Sequence, residues 1–142
     1  MEAVGEMKGL RYLKLSMVDG EKRLSEYGDL GDLESLNWRE KKAGSSKQLD
    51  GLFRMKKLKR LYLMIDGLTE IPLQTPMKKL SLLDIWSDKP VDLSFLRFMP
   101  NLVKINLADS GVYTHTEFLC SHKRLKSYPE NADVFKRLCT RN

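Results

Sequence analysis

The sequence predicts a single α/β domain built as a solenoid, with a curved parallel sheet on its concave side and short helices or 3₁₀ turns on its convex side. Three observations predict it. An apolar unit recurs along the whole chain at a spacing of 22 to 25 residues. Two further columns, each apolar in five of six copies, recur upstream and in phase. The 142 residues, 42% of them hydrophobic, suffice for one packed core. Units of this length cannot bury an apolar face alone, so they stack on one another.

The copies run in order. Leu10-x-x-Leu13-x-Leu15 is followed by Leu33-x-x-Leu36-x-Trp38 and Leu58-x-x-Leu61-x-Leu63. Leu80-x-x-Leu83-x-Ile85 and Leu102-x-x-Ile105-x-Leu107 come next. A degenerate sixth copy starts at Leu125, continues to Tyr128 and meets Pro129. Strands are therefore expected to start near 10, 33, 58, 80 and 102, with a degenerate one near 125. Residues two apart share a face of a strand, so the last two apolar positions of each unit point to the core. Three residues upstream stand Met7, Leu30, Met55, Met77, Met99 and His122; six upstream stand Val4, Tyr27, Leu52, Gln74, Leu96 and Leu119. That spacing of three suggests a helical or 3₁₀ turn on the opposite wall.

This pattern resembles the leucine-rich repeat family, L-x-x-L-x-L-x-x-N/C-x-L, over essentially the whole chain. In that family the ninth position is Asn or Cys, bonding the backbone of the turn. Here it reads Val18, Lys41, Asp66, Asp88 and Ser110. The last three retain an acceptor; Val18 and Lys41 do not fill the role, so the first two turns are expected to be irregular. The polar run at residues 41–48 reads as a surface loop, the most mobile part of the chain. Residues 130–142 are expected to form a C-terminal capping helix, with Asn131 as its N-cap and Ala132, Val134, Phe135, Leu138 and Cys139 on its inner side. Nine residues precede Leu10 and supply at most one turn of wall. Either that suffices, or the chain is part of a longer array. Residues 2–16 and 124–131 are similar to repeats of plant intracellular immune receptors. Residues 91–96 look more like repeats of bacterial and phosphatase-regulator proteins.

The outward positions, taken as the third, fifth, seventh and eighth of each copy, place Tyr62, Met64, Ile65, Leu82 and Trp86 in one patch. Arg39 and Arg60 flank it on one side, Asp84 and Asp109 on the other. With Tyr12 and Asn106 these form the candidate partner-binding face: Tyr12, Arg39, Arg60, Tyr62, Met64, Ile65, Asp84, Trp86 and Asn106. A solvent face rich in Trp, Tyr, Met and Arg has the composition of a protein interface. Self-association through the same face stays open. A basic stripe, Lys56, Lys57, Lys78, Lys79, Lys123 and Arg124, follows one rim. It is read first as a solvated edge and second as a site for an acidic or nucleic-acid partner. Nucleic acid is disfavoured, because no aromatic-interleaved basic motif occurs.

The absence of any apolar run near ~18 residues points away from a membrane-spanning protein. No secretory signal pattern opens the sequence. A cytoplasmic or nuclear protein, intracellular and not secreted, is expected. His115, Cys120, His122 and Cys139 are metal-ligand types, but their spacing fits no standard zinc site, and the cysteines are read as small buried thiols. No metal, cofactor or catalytic motif is expected, so the chain is read as a non-enzyme. The leading expectation is a module that holds a protein or peptide on its concave face. The alternatives are a structural part of a longer receptor or scaffold, and capture of an acidic or nucleic-acid partner by the rim.

Overall fold

The structure is a computed structural model and describes residues 9–17, 30–40 and 49–139. Val4, Met7, Val18, Tyr27, Lys41, the expected loop at 41–48 and the last three residues of the expected cap lie outside the described residues. The described chain forms a parallel-strand solenoid of about four turns. Its main sheet has five strands in the order β1 (Tyr12–Met17), β2 (Ser35–Glu40), β3 (Arg60–Ile65), β4 (Leu82–Trp86) and, after a small strand β5 (Val91–Asp92), β6 (Lys104–Leu107). Each strand opens two residues after the first leucine of its copy. The pairing register is constant: Leu36, Leu61, Leu83 and Ile105 lie side by side, and so do Trp38, Leu63, Ile85 and Leu107. All eight are at most 6% exposed. A slip by one residue would turn this whole apolar set to solvent, so the register is strongly specified.

One backbone device repeats at every strand entrance. The carbonyl of the residue before each strand accepts two N–H groups from the next copy: Arg11 from Glu34 and Ser35, Glu34 from Lys59 and Arg60, Lys59 from Ser81 and Leu82, Ser81 from Val103 and Lys104. The upstream columns form the opposite wall. Met55 donates to the Leu52 carbonyl, Met99 to Leu96 and His122 to Leu119, each closing a turn of three residues. These turns belong to the 3₁₀ helices Leu52–Arg54 and Leu93–Phe98 and to helix α1 (Glu117–Cys120). Leu30, Met55, Met77 and Met99 are buried. Copy four lacks this turn: Gln74 is exposed, and Met77 donates instead to Phe98. A second sheet, not expected from the sequence, pairs β5 with β7 (Tyr113–Thr114).

The expected strand near 125 does not form. Lys123–Lys126 is helix α2, followed by a 3₁₀ turn at Pro129–Asn131 and helix α3 (Ala132–Cys139). Pro129 cannot donate a ladder hydrogen bond, and His122 accepts from the Leu125 N–H and so caps a helix rather than opening a strand. Asn131 is not an N-cap facing solvent. It is fully buried, and its side-chain amide lies along the free edge of β6. Its Oδ1 accepts from Ile105 N–H at 3.1 Å, and its Nδ2 donates to the carbonyls of Val103 at 2.9 Å and Leu125 at 2.7 Å. In a parallel ladder a single residue of the next strand would satisfy the Val103 carbonyl and the Ile105 N–H. One side-chain amide thus stands in for a missing sixth strand. At the other end of β6, Arg137 of α3 bonds the Leu107 carbonyl at 3.2 Å and pairs with Asp109. The edge is therefore covered rather than open to pairing. Ala132, expected on the inner side of the cap, is exposed; Val134 is buried there.

The two cysteines are joined, not free. Cys120 of α1 and Cys139 of α3 form a disulfide with Cα atoms 5.5 Å apart. The two helices pack against each other, which brings together residues that are 19 apart in sequence. That proximity arises from helix packing, which the spacing alone does not encode.

Candidate functional site

Alternation along the strands builds the solvent face of the main sheet in three rows. The first row runs Tyr12, Ser35, Arg60, Leu82 and Lys104. The second runs Lys14, Asn37, Tyr62, Asp84 and Asn106. The third runs Ser16, Arg39, Met64 and Trp86. Neighbours in a row sit ~4.8 Å apart, close enough for direct contact between side chains. Tyr12, Met64 and Trp86 are large apolar side chains left open, at 58, 40 and 37% exposure. Tyr62, Leu82 and Arg60 are half-buried.

Ile65 does not belong to this face. It is 2% exposed and lies in the core beside Leu63. The strand continues with period two through the eighth position, so that position points inward like the fourth and sixth. Glu40 and Ser87 obey the same rule and are buried. The Trp38 indole donates to the Glu40 carboxylate at 3.1 Å, and Ser87 donates to the Leu68 carbonyl at 2.7 Å. The polar character of Glu40 and Ser87 concealed this inward column from the sequence pattern.

Among the remaining face residues, direct contacts fix several side chains. Arg39 donates through Nε to the Met64 sulfur at 3.2 Å. Asn106 Nδ2 lies 3.5 Å from Asp84 Oδ2. Arg60 reaches past Ser35 to stand 5.7 Å from the Tyr12 ring centre, and Arg11 approaches the same ring. Lys14, Asn37, Arg39, Tyr62, Met64, Asp84 and Trp86 surround a shallow depression of about 280 Å³. Rows two and three therefore converge on one concavity with an apolar wall and a basic side.

At the strand entrances Glu34 lies between Arg11, at 2.6 Å, and Lys59, at 3.1 Å. Hydrogen bonds from Lys59 and Arg11 hold the Glu34 carboxyl below the usual carboxylate range. The same contact raises Arg11. All six rim cations, Lys56, Lys57, Lys78, Lys79, Lys123 and Arg124, are exposed. Lys57 is engaged by Asp32 at 2.5 Å, and that bond pushes its ammonium up. Asp109, expected to flank the patch, is held by Arg137 of the cap. Asp88 accepts from the N–H of Gly67 at 2.6 Å, tying a ninth-position side chain to the preceding turn. Gly67 has φ 80°, a left-handed conformation that favours glycine.

His115, Cys120, His122 and Cys139 do not assemble as ligands. The cysteines are consumed by their disulfide, His122 Nε2 meets the Met99 carbonyl at 2.8 Å, and His115 pairs with Asp92 at 3.1 Å. Burial pushes the Asp92 carboxyl up, but hydrogen bonds from Ser94 and the nearby His115 outweigh it and leave the carboxyl low. Among the described residues no group of three or more His, Cys, Asp or Glu side chains is arranged to hold a metal ion. No described helix is long and apolar enough to cross a membrane.

No family model, curated protein or solved structure matches this chain significantly. The class that the fold defines is a parallel-strand repeat solenoid, and its most developed surface is the outer face of the main sheet.

Proposed function

We propose that the chain is a short leucine-rich repeat module that binds a protein or peptide partner on the concave face of its sheet. One observation carries this reading. Tyr62, Met64 and Trp86 are open or half-open to solvent on adjacent strands, around a single depression. Exposed apolar residues gathered in one place, beside arginine, have the make-up of an interface anchor. Tyr62, Met64 and Trp86 supply contact area that loses water on binding; Arg39, Arg60, Asp84 and Asn106 set register. No group of residues is proposed to carry out chemistry.

The test is capture from a lysate of the source organism, using the chain as bait beside a Tyr62→Ala, Trp86→Ala double variant shown by circular dichroism to be folded. Proteins held by the parent and lost by the variant support the reading. Equal retention by both sinks it and favours the second reading, in which the six exposed rim cations hold an acidic or nucleic-acid partner. That second reading requires binding to weaken steeply with salt and to vanish on Lys78→Glu, Lys79→Glu.

A further inference from the structure

The occupant of the concave face has a chemistry that the face itself specifies. We infer that it is an extended acidic segment of a protein, with one aromatic or long aliphatic side chain seated against Met64 and Trp86 and carboxylates on either side of it. This inference rests on the concave-face reading and narrows it.

Charge complementarity is the first argument. The third, fifth and seventh positions of the described strands carry four cations, Lys14, Arg39, Arg60 and Lys104, and one carboxylate, Asp84. Among the described residues none of the four cations forms an ion pair with a carboxylate. Arg39 bonds only a thioether sulfur, a weak acceptor, and Arg60 lies over a tyrosine ring. Glu34 is already bound by Arg11 and Lys59 at the strand entrances, so it does not offset them. Lys14 and Arg39 line the depression together with Asp84, and Arg60 and Lys104 stand in the neighbouring row, so the face as a whole carries a positive surplus. Guanidinium groups bind carboxylates in pairs of parallel hydrogen bonds, so Arg39 offers a directed contact at the rim of the concavity.

The apolar wall is the second argument. A polyanion without side chains would leave Met64 and Trp86 uncovered, whereas a peptide anchor removes both from water. The depression of about 280 Å³ is shallow and has room for a side chain rather than a folded domain. Asp84 sits within it and repels an acid placed directly above, so the residue over Asp84 is neutral or basic. Asp84 then acts as a register and specificity residue, separating an acid–apolar–acid pattern from a uniform acidic run.

The experiment is selection of a phage-displayed library of random twelve-residue peptides on the intact chain. The probe for affinity is the most enriched peptide, measured by fluorescence anisotropy. The expected enrichment is Asp and Glu flanking one aromatic, Leu or Met residue. Its affinity is expected to fall about tenfold or more for Arg39→Glu and for Trp86→Ala, and to fall with rising salt. Asp84→Asn is expected to relax the choice at one peptide position. Circular dichroism checks each variant for folding, and Lys104→Glu serves as a second charge reversal should Arg39→Glu fail to fold. Neutral or basic sequences that are lost on Trp86→Ala overturn the acidic occupant and leave the concave-face reading standing. Acidic sequences that ignore Arg39→Glu but are lost on Lys78→Glu, Lys79→Glu overturn both in favour of the rim. A selection that enriches nothing also overturns the inference.

Discussion

Removing the Asn131 side chain should unzip the covered edge of the sheet. Its amide serves three backbone groups, at 3.1, 2.9 and 2.7 Å, from a position with no solvent exposure. In Asn131→Ala the Ile105 N–H, in a buried residue, loses its partner, at a cost of about 1–3 kcal/mol. The Leu125 carbonyl keeps the N–H of Tyr128, and Val103 is half-buried and reached by water, so each of these two lost bonds costs less, about 0.5–1 kcal/mol. With partial relaxation the expected loss is about 2–4 kcal/mol, which is a large share of a typical domain's stability. Urea unfolding followed by circular dichroism measures it. Asn131→Asp separates this account from simple cavity formation. Its carboxylate still accepts from Ile105 but faces the carbonyls of Val103 and Leu125 with no proton to give. Its folded pKa is therefore raised above the unfolded value of about 3.9. The native state then holds more protons than the unfolded one between those two values, so the stability of this variant falls as pH rises through that window. The Asn131→Ala deficit should show no such slope. If both variants unfold within about 1 kcal/mol of the parent, water satisfies the edge and the amide is not a strand substitute.

Three further outcomes are expected. Cys120→Ser, Cys139→Ser should lower stability by about 3 kcal/mol, the chain-entropy value for a loop of roughly this length, and mild reduction of the parent should give the same shift in urea midpoint. The Glu34 carboxyl is lowered by Lys59 and Arg11, so it contributes stability that is present above its unfolded pKa and lost as pH falls through its lower folded value; Glu34→Gln should therefore flatten the acid limb of a stability-against-pH curve. Leu61→Ala should cost about 2–5 kcal/mol, while Met64→Ala three residues on should stay within about 0.5 kcal/mol, because the first side chain is fully buried and the second is open; chemical denaturation of the two decides it.

The strand positions were legible because burial on one face imposes a period of two, and Leu36, Leu61, Leu83 and Ile105 announce it. The outward set followed from the same alternation through the seventh position. It failed at the eighth, where Glu40 and Ser87 disguise an inward column, and Ile65 was drawn to the wrong side with them. The end of the solenoid was legible as a cap but not in its workings. Leu125 keeps the apolar phase, yet Pro129 and the capping contact of His122 turn that copy helical. Whether Asn131 caps a helix or completes a sheet depends on where β6 ends in space, and sequence spacing does not record that. The Cys120–Cys139 bond and the β5–β7 pair arise in the same way, from elements meeting across the fold.

Oxidative footprinting read by mass spectrometry tests the central claim most directly, on the free chain and on the chain bound to its captured partner. Met64 and Trp86 should oxidise readily in the free chain, while Met77, Met99 and Trp38, at 2% exposure or less, should resist. In the complex Met64 and Trp86 should become protected and the buried three should stay unchanged. Rapid oxidation of Trp38 in the free chain, or unaltered oxidation of Met64 and Trp86 in the complex, would contradict the account.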